Sequence, residues 1–383
     1  MYGISFPITI VILDYWLKDC GVSLPIIGLF SLFHAPFMLK FLWAPIIDRY
    51  EIPYFSKKFG QRKSWGIFSQ LFLILGIIGL SQCNPSTNLV TVIFFSSLVA
   101  FSDGCMNIAL YPYQIHKTEP ENIGYVAGMI NLGHRIGMIF SKVSALYIAD
   151  IWNWEVAYLS LAGFVFICLL GLLKIDEPRY DPPKNYLYLS EFLGFFQNHK
   201  RAITMIAILI LYRALDYFSQ KMGRVFCLEI GFSKTEIAHI VQFFGSIAAV
   251  IGGIFAGYLV KKEKNVYDAM FLAGLAHMFT VFSYVFLAHY GYNVKLLCTI
   301  TLFESLTRGC TTAIFLAFIY TFCHSGSMYA LTWAIHELGG IFFASISGIA
   351  AELLGWQTFF ALAPIVSIPS LIILWSMSKK FKS

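Results

Sequence analysis

Charge is what this chain is short of. Of its 383 residues, 13% are Asp, Glu, Lys or Arg, about half of the roughly 25% that a soluble domain carries. That deficit excludes a solvated surface over most of the chain. Catalytic signatures are missing too. The eight cysteines (20, 83, 105, 168, 227, 298, 310 and 323) form no Cys-x-x-Cys pair, and most sit inside apolar runs, where they read as small apolar filler. No Gly-x-Ser-x-Gly, His-Glu-x-x-His or Walker stretch occurs, and Glu337-Leu338-Gly339-Gly340 lies within an apolar run and is no phosphate loop. The chain is therefore not read as an enzyme, and no cofactor or metal is expected. ATP drive is therefore not expected, which leaves an ion gradient or facilitation. No cleavable secretory signal is recognised either.

Long apolar runs take the place of charge. Hydrophobic residues make up 58% of the chain and the mean hydropathy is +0.70. About 20 apolar residues cross a bilayer. Counting such runs gives twelve: roughly 2–17, 24–47, 65–81, 88–110, 124–149, 154–173, 202–223, 235–260, 267–289, 295–320, 327–354 and 356–376. The class is an all-α, multi-pass membrane protein. The first run is short and carries Asp14. It is either a thin, tilted span or part of a longer helix, and the second reading is preferred.

The net charge of +6 invites a nucleic-acid reading, but its distribution argues against one. Arg49, Lys57, Lys58, Arg62 and Lys63 fall between runs two and three. Others of the same set of loops are Lys117, then Lys174, Arg179, Lys184, Lys200 and Arg201, then Lys261, Lys262 and Lys264, and finally Lys379, Lys380 and Lys382 in the tail. The opposite set holds only Lys18, Arg224, Lys234 and Lys295. Positive loops stay on the cytoplasmic side, so both termini are expected there. The longest polar segment sits midway. It divides the chain into a six-helix bundle over 1–175, a cytoplasmic loop over 176–200, and a second six-helix bundle with a short basic tail over 201–383.

Charges within the runs cost at least about 2.5–3.5 kcal/mol each at mid-membrane, so each needs a partner or a polar cavity. They are Lys40, Arg135, Lys142, Arg213, Lys221, Arg308, Asp14, Asp103, Asp216, Glu304 and Glu337. Glu304 and Arg308 are four apart with the acid first, and Arg213 and Asp216 are three apart, so both pairs can close on one helix face. Lys40, Arg135, Asp103 and Glu337 have no local partner and must meet others across helices or line a cavity. Several cations in such a place suit an anionic substrate. A buried acid there can load and release a proton, and Glu304 or Asp103 is the expected titrating group. His134 and His336 read as packing histidines. Gly133 with Gly137, Gly253 with Gly257, and Gly339, Gly340 and Gly348 mark expected close helix approaches.

Ala44-Pro45-Ile46-Ile47-Asp48-Arg49 followed by Gly60-Gln61-Arg62-Lys63 resembles the G-x-x-x-D-R…G-R-K loop of the major facilitator superfamily. Ala44 stands in place of the usual Gly, and a nine-residue insert separates the two halves. The resemblance implies the major facilitator fold, two six-helix bundles of about twelve transmembrane helices. It also implies a cytoplasmic gate loop at Asp48, Arg49, Arg62 and Lys63. A closer resemblance follows from Lys40-Phe41-Leu42-Trp43, Gly133-x-Arg135-Ile136-Gly137, Leu211-Tyr212-Arg213-x-x-Asp216 and Phe303-Glu304-x-Leu306. These are similar to the AmpG-type muropeptide permeases. That family implies proton-driven import of anhydro-muropeptides across the bacterial inner membrane, with Lys40, Arg135, Asp216 and Glu304 lining its polar cavity.

Run four departs from that family. The family's two acids are replaced by Asn107 and Tyr111, Asp103 lies one turn earlier, and Pro112 is expected to break the helix end. The substrate-pathway candidates are therefore Lys40, Asp103, Asn107, Arg135, Arg213, Asp216, Glu304 and Glu337. The expected partners are an anionic, glycopeptide-like small molecule and the lipid bilayer, with no nucleic acid, and the protein is expected to be a monomer. Two alternatives stay open. One is a transporter of the same fold for another anionic metabolite such as a CoA ester. The other is a membrane sensor that does not transport.

Overall fold

The structure, a computed structural model, describes residues 2–116, 123–174, 199–262, 265–322 and 326–382. Among these residues there is no strand. Twelve helical passes follow one another: α1 (2–19), α2 (24–49), α3 (Gln61–Ser81), α4 (Leu89–His116), α5 (Ile123–Ile151), α6 (Trp154–Leu173), α7 (199–229), α8 (Lys234–Lys262), α9 (Val266–Tyr290), α10 (Val294–Phe322), α11 (326–354) and α12 (356–382). Eight stretches are long and apolar enough to cross a membrane by length and composition. The last of them, Thr332–Lys379, contains most of α11 and α12. Gly355, at φ 70°, divides those two helices, a backbone position that glycine takes without a Cβ clash.

By internal packing the chain separates into two compact units. One comprises Met1–Val22 and Leu32–Tyr186, the other Ser23–Ser31 and Leu187–Ser383. Most of the expected cytoplasmic loop, along with Lys117, Lys264 and Cys323, lies outside the described residues. The second unit is built on a tight apolar cluster of Leu209, Met270, Ile314, Phe315, Phe318 and Leu374. Large apolar side chains also point outward, such as Ile167 on α6 and Ile254 on α8, exposed by 64% and 73%. An apolar face turned outward along a helix of this length suits hydrocarbon.

Several passes are not regular α-helices, and the sequence explains part of this. In α2, the 3₁₀ stretches Phe30–His34 and Leu39–Leu42 stand before the helical segments that carry Pro36 and Pro45 near their starts. Proline supplies no backbone N–H and clashes with the preceding turn, so each one ends one helical stretch and begins another. α7 is interrupted at Tyr212 and Arg213 and resumes at Ala214. α1 and α8 each contain a π-helical stretch, Ile8–Ile12 and Ala238–Phe244. Pro112 does not act as expected, because α4 continues through it to His116.

A corner of the fold occurs twice. At the end of α1, Gly21 takes φ 77°, and the indole of Trp154 at the start of α6 donates to Asp19 at 2.7 Å. At the end of α7, Gly231 takes φ 99°, and the indole of Trp356 at the start of α12 donates to Glu229 at 2.8 Å. Ring contacts repeat as well. Trp16 and Trp154 both meet Tyr158, and Phe226 and Trp356 both meet Phe360. The two units thus share a plan that a register of identical residues would not disclose.

Small residues set the closest helix approaches, though not all at the expected positions. A Cβ on Gly252 of α8 would lie 1.9 Å from the Leu306 carbonyl oxygen, and one on Gly309 of α10 would lie 1.9 Å from that of Ala249. Backbone cannot yield as a side chain can, so these positions require glycine. Gly253 faces α10 more loosely, while Gly257 and Gly133 face open space. Gly137 does pack closely, since a Cβ on it would lie 3.2 Å from the Gly3 backbone on α1, and one on Gly348 would meet Leu24 and Gly28.

Candidate functional site

The loop between α2 and α3 closes on itself by charge. Arg62 donates to Asp48 at 2.8 Å, with side-chain exposures of 4% and 11%. A second guanidinium nitrogen donates to the Ile108 carbonyl of α4 at 3.2 Å. Gln61 donates to the carbonyls of Ile47 and Asp48. Lys63 donates to the Leu173 carbonyl at 3.0 Å, a cation at the C-terminus of α6, where the helix dipole favours it. Hydropathy starts the third run at Trp65, but the helix starts at Gln61. Arg62 and Lys63 are therefore buried in its first turn, because carbonyls and Asp48 satisfy them. Arg49 is exposed.

Within the first unit a polar cluster joins α1, α2 and α4. Lys40, on the second 3₁₀ stretch of α2, donates to Asn107 at 2.7 Å and lies 4.3 Å from the centre of the Phe37 ring. Asp103 sits one turn before Asn107 on α4 and is 1% exposed. Ser5 of α1 donates to one of its oxygens at 2.5 Å. Its other oxygen is buried and has no hydrogen-bond partner among the described residues. Gly104 lies beside this cluster, where a Cβ would make ordinary van der Waals contact, 3.4 Å from Phe37 Cα and 3.5 Å from Lys40 Cβ. Nearby, Thr9, on the π-helical stretch of α1, hydrogen-bonds His34 at 2.9 Å.

In the second unit both predicted local pairs form. Arg213 donates to Asp216 at 2.8 Å. Arg308 lies 3.5 Å from Glu304 and donates to Ser305 at 3.0 Å. Glu337 finds a partner across helices, as Tyr217 of α7 donates to it at 2.8 Å. His336 bonds the Leu209 carbonyl at 2.9 Å and packs among Phe315, Trp333 and Tyr217, as a packing histidine does. Arg135 is exposed on α5, and no acid pairs with it among the described residues.

Sequence reasoning missed three participants. His277 of α9 places Nε2 2.7 Å from Asp216. Ser5 reaches Asp103 across 98 residues. Tyr217 holds Glu337 across 120. Only the burial of a lone histidine in an apolar helix could have drawn attention to the first.

Fold and charge network together describe a helical membrane protein with acids and bases held inside each unit. Residues 1–344 match the sequence profile of the Major Facilitator Superfamily. The chain belongs to that superfamily. It is a multi-pass membrane transporter, and its curated relatives are of the AmpG type. "Putative transporter AmpG 1" of Rickettsia bellii is 29% identical over 395 residues, spanning 99% of this chain and 96% of the relative. "Putative transporter AmpG 4" of Rickettsia felis is 26% identical, spanning 99% and 94%. Among solved structures, a POT family transporter in complex with a thioalcohol-conjugated peptide superposes with a TM-score of 0.72 at 12% identity, covering 100% of this chain and 93% of that one. The nucleoside transporter NupG gives 0.71 at 13% identity, covering 98% and 97%. At these identities the structural likeness speaks for the fold alone.

Proposed function

We propose that this major facilitator imports anhydro-muropeptides across the bacterial inner membrane, drawing on the proton gradient, and that Asp103 is the group that loads and releases the proton. The observation that carries the coupling is the state of its carboxyl. One oxygen is held by Ser5 and the other is buried without a partner. A carboxyl so placed can be neutral in one stage of a transport cycle and ionised in another, which couples a proton to a conformational change. Glu304 is the less suitable group because the Arg308 cation lies 3.5 Å from it and favours its ionised form. The substrate class follows from the resemblance to the AmpG-type permeases. Lys40 supplies positive charge in the polar cluster of the first unit for an anionic glycopeptide, and alternating access would be the mode of transport by a monomer.

Asn107 favours a second reading. Where the resembling family carries an acid, this chain offers Lys40 a neutral amide. That change suits a different anionic solute, such as a CoA ester. Uptake of labelled anhydro-muropeptide into proteoliposomes, with and without an imposed pH gradient, separates the two. Gradient-dependent uptake supports the first reading. Absence of uptake by folded protein moves the assignment to another anion.

A further inference from the structure

We infer that His277 of α9 is a second proton-bearing group, housed in the C-terminal unit and kept able to hold one proton or two by the hydroxyl of Thr307. The inference rests on the proton-coupled reading above. One oxygen of Asp216 is hydrogen-bonded and the other lies close to the imidazole without hydrogen-bond geometry. Oδ2 accepts from Arg213 at 2.8 Å, and Oδ1 lies 2.7 Å from Nε2 of His277. The opposite ring nitrogen, Nδ1, lies 3.0 Å from Thr307 Oγ1 on α10. Thr307 in turn lies 2.8 Å from Thr280 Oγ1, and within 3.1 and 3.0 Å of the carbonyls of Phe303 and Glu304.

These distances admit two proton arrangements with no movement of a heavy atom. In the first, His277 is neutral. Its hydrogen is on Nε2, the nitrogen close to Asp216, and Thr307 turns its O–H toward Nδ1. In the second, a proton has been added at Nδ1. That N–H donates to Thr307, whose O–H now turns to the carbonyl of Phe303 or Glu304. A hydroxyl is both donor and acceptor, so one rotation accommodates the added proton. His336, tied to a carbonyl through Nδ1, shows what a fixed tautomer looks like.

The neighbouring groups are consistent with this role. From α7, Arg213 and Asp216 form a neutral pair beside the ring, so the imidazole decides the net charge of the cluster. Tyr212 of α7 is occupied by the Met270 carbonyl at 3.0 Å. From α10, Glu304 and Arg308 flank Thr307 in sequence and are joined to each other. α11 contributes Glu337, held by Tyr217, and His336, held by Leu209. The part of α12 over 363–378 carries no titratable side chain, and on α8 beyond Gly245 the only ones are Tyr258, Lys261 and Lys262 toward its end.

The test is the imidazole nitrogen spectrum of His277 in the full chain, labelled with ¹⁵N-histidine in nanodiscs and assigned by subtraction of His277→Gln. It is followed from about pH 8 to about pH 5, the range in which histidine changes charge. The expected result is conversion from the singly to the doubly protonated ring in the wild type and in Thr307→Ser. In Thr307→Val the ratio of doubly to singly protonated ring falls about tenfold at any given pH, the equivalent of one lost hydrogen bond. Two results would overturn the inference: a wild-type ring that keeps one form throughout, or a Thr307→Val ring that titrates as the wild type does. The first needs no variant to fold. A static His277 with gradient-driven uptake intact sinks this inference alone. A titrating His277 without muropeptide uptake sinks the substrate assignment alone.

Discussion

The indole N–H of Trp154 donates to Asp19 at 2.7 Å, tying the start of α6 to the end of α1. Trp356 and Glu229 make the same tie between α12 and α7. The acids are exposed in both corners, but Trp154 is buried and Trp356 only half-buried. A hydrogen bond to a charged group contributes about 1.5–3 kcal/mol when shielded and less when wet. Trp154→Phe is therefore expected to lower stability by about 1–2 kcal/mol and Trp356→Phe by less than about 1 kcal/mol. Thermal unfolding in detergent checks the order, and the reverse order would count against the shielding argument.

The buried pair of Asp48 and Arg62 makes a sharper prediction. Removing one partner of such a pair leaves an uncompensated charge and costs about 3–5 kcal/mol. Asp48→Asn should therefore destabilise strongly. The double variant Asp48→Asn with Arg62→Gln should recover part of the loss, because no charge remains stranded. A double-mutant cycle in unfolding experiments reads this directly, and additive losses would mean the two residues are not coupled.

Glycines on one helix should differ by what they face. Gly252→Ala places a methyl group against the Leu306 backbone, whereas Gly257→Ala meets open space. The first should lower the melting temperature by several degrees, and the second should leave it unchanged or slightly raised, since alanine favours the helix by about 1 kcal/mol. Equal effects would show that α8 and α10 do not pack through Gly252.

Much of this architecture was legible in the sequence. The apolar runs coincide with the twelve helical segments, and eight stretches among them are long and apolar enough to cross a membrane by length and composition. The local pairs Arg213–Asp216 and Glu304–Arg308 follow from helical spacing alone. Contacts between distant helices could not be read this way. Nothing in the run around His277 signals that Asp216, 61 positions earlier, will reach it, and nothing beside Ser5 signals Asp103. Gly253 and Gly257 satisfy the spacing rule, yet Gly252 makes the contact, because the crossing point depends on how α8 is rotated. Its π-helical stretch, Ala238–Phe244, changes that rotation and leaves no clear mark in the sequence. Arg62 and Lys63 look like loop cations until Asp48 and the end of α6 are seen to hold them.

Proton movement accompanying transport tests the central claim most directly. Proteoliposomes loaded with a pH-sensitive dye are given anhydro-muropeptide without an imposed gradient, and the internal pH is followed. The account predicts acidification inside vesicles carrying the wild type and none with Asp103→Asn, which keeps the shape of the side chain but cannot lose a proton. Muropeptide entry without any pH change, or an Asp103→Asn trace that matches the wild type, would contradict it.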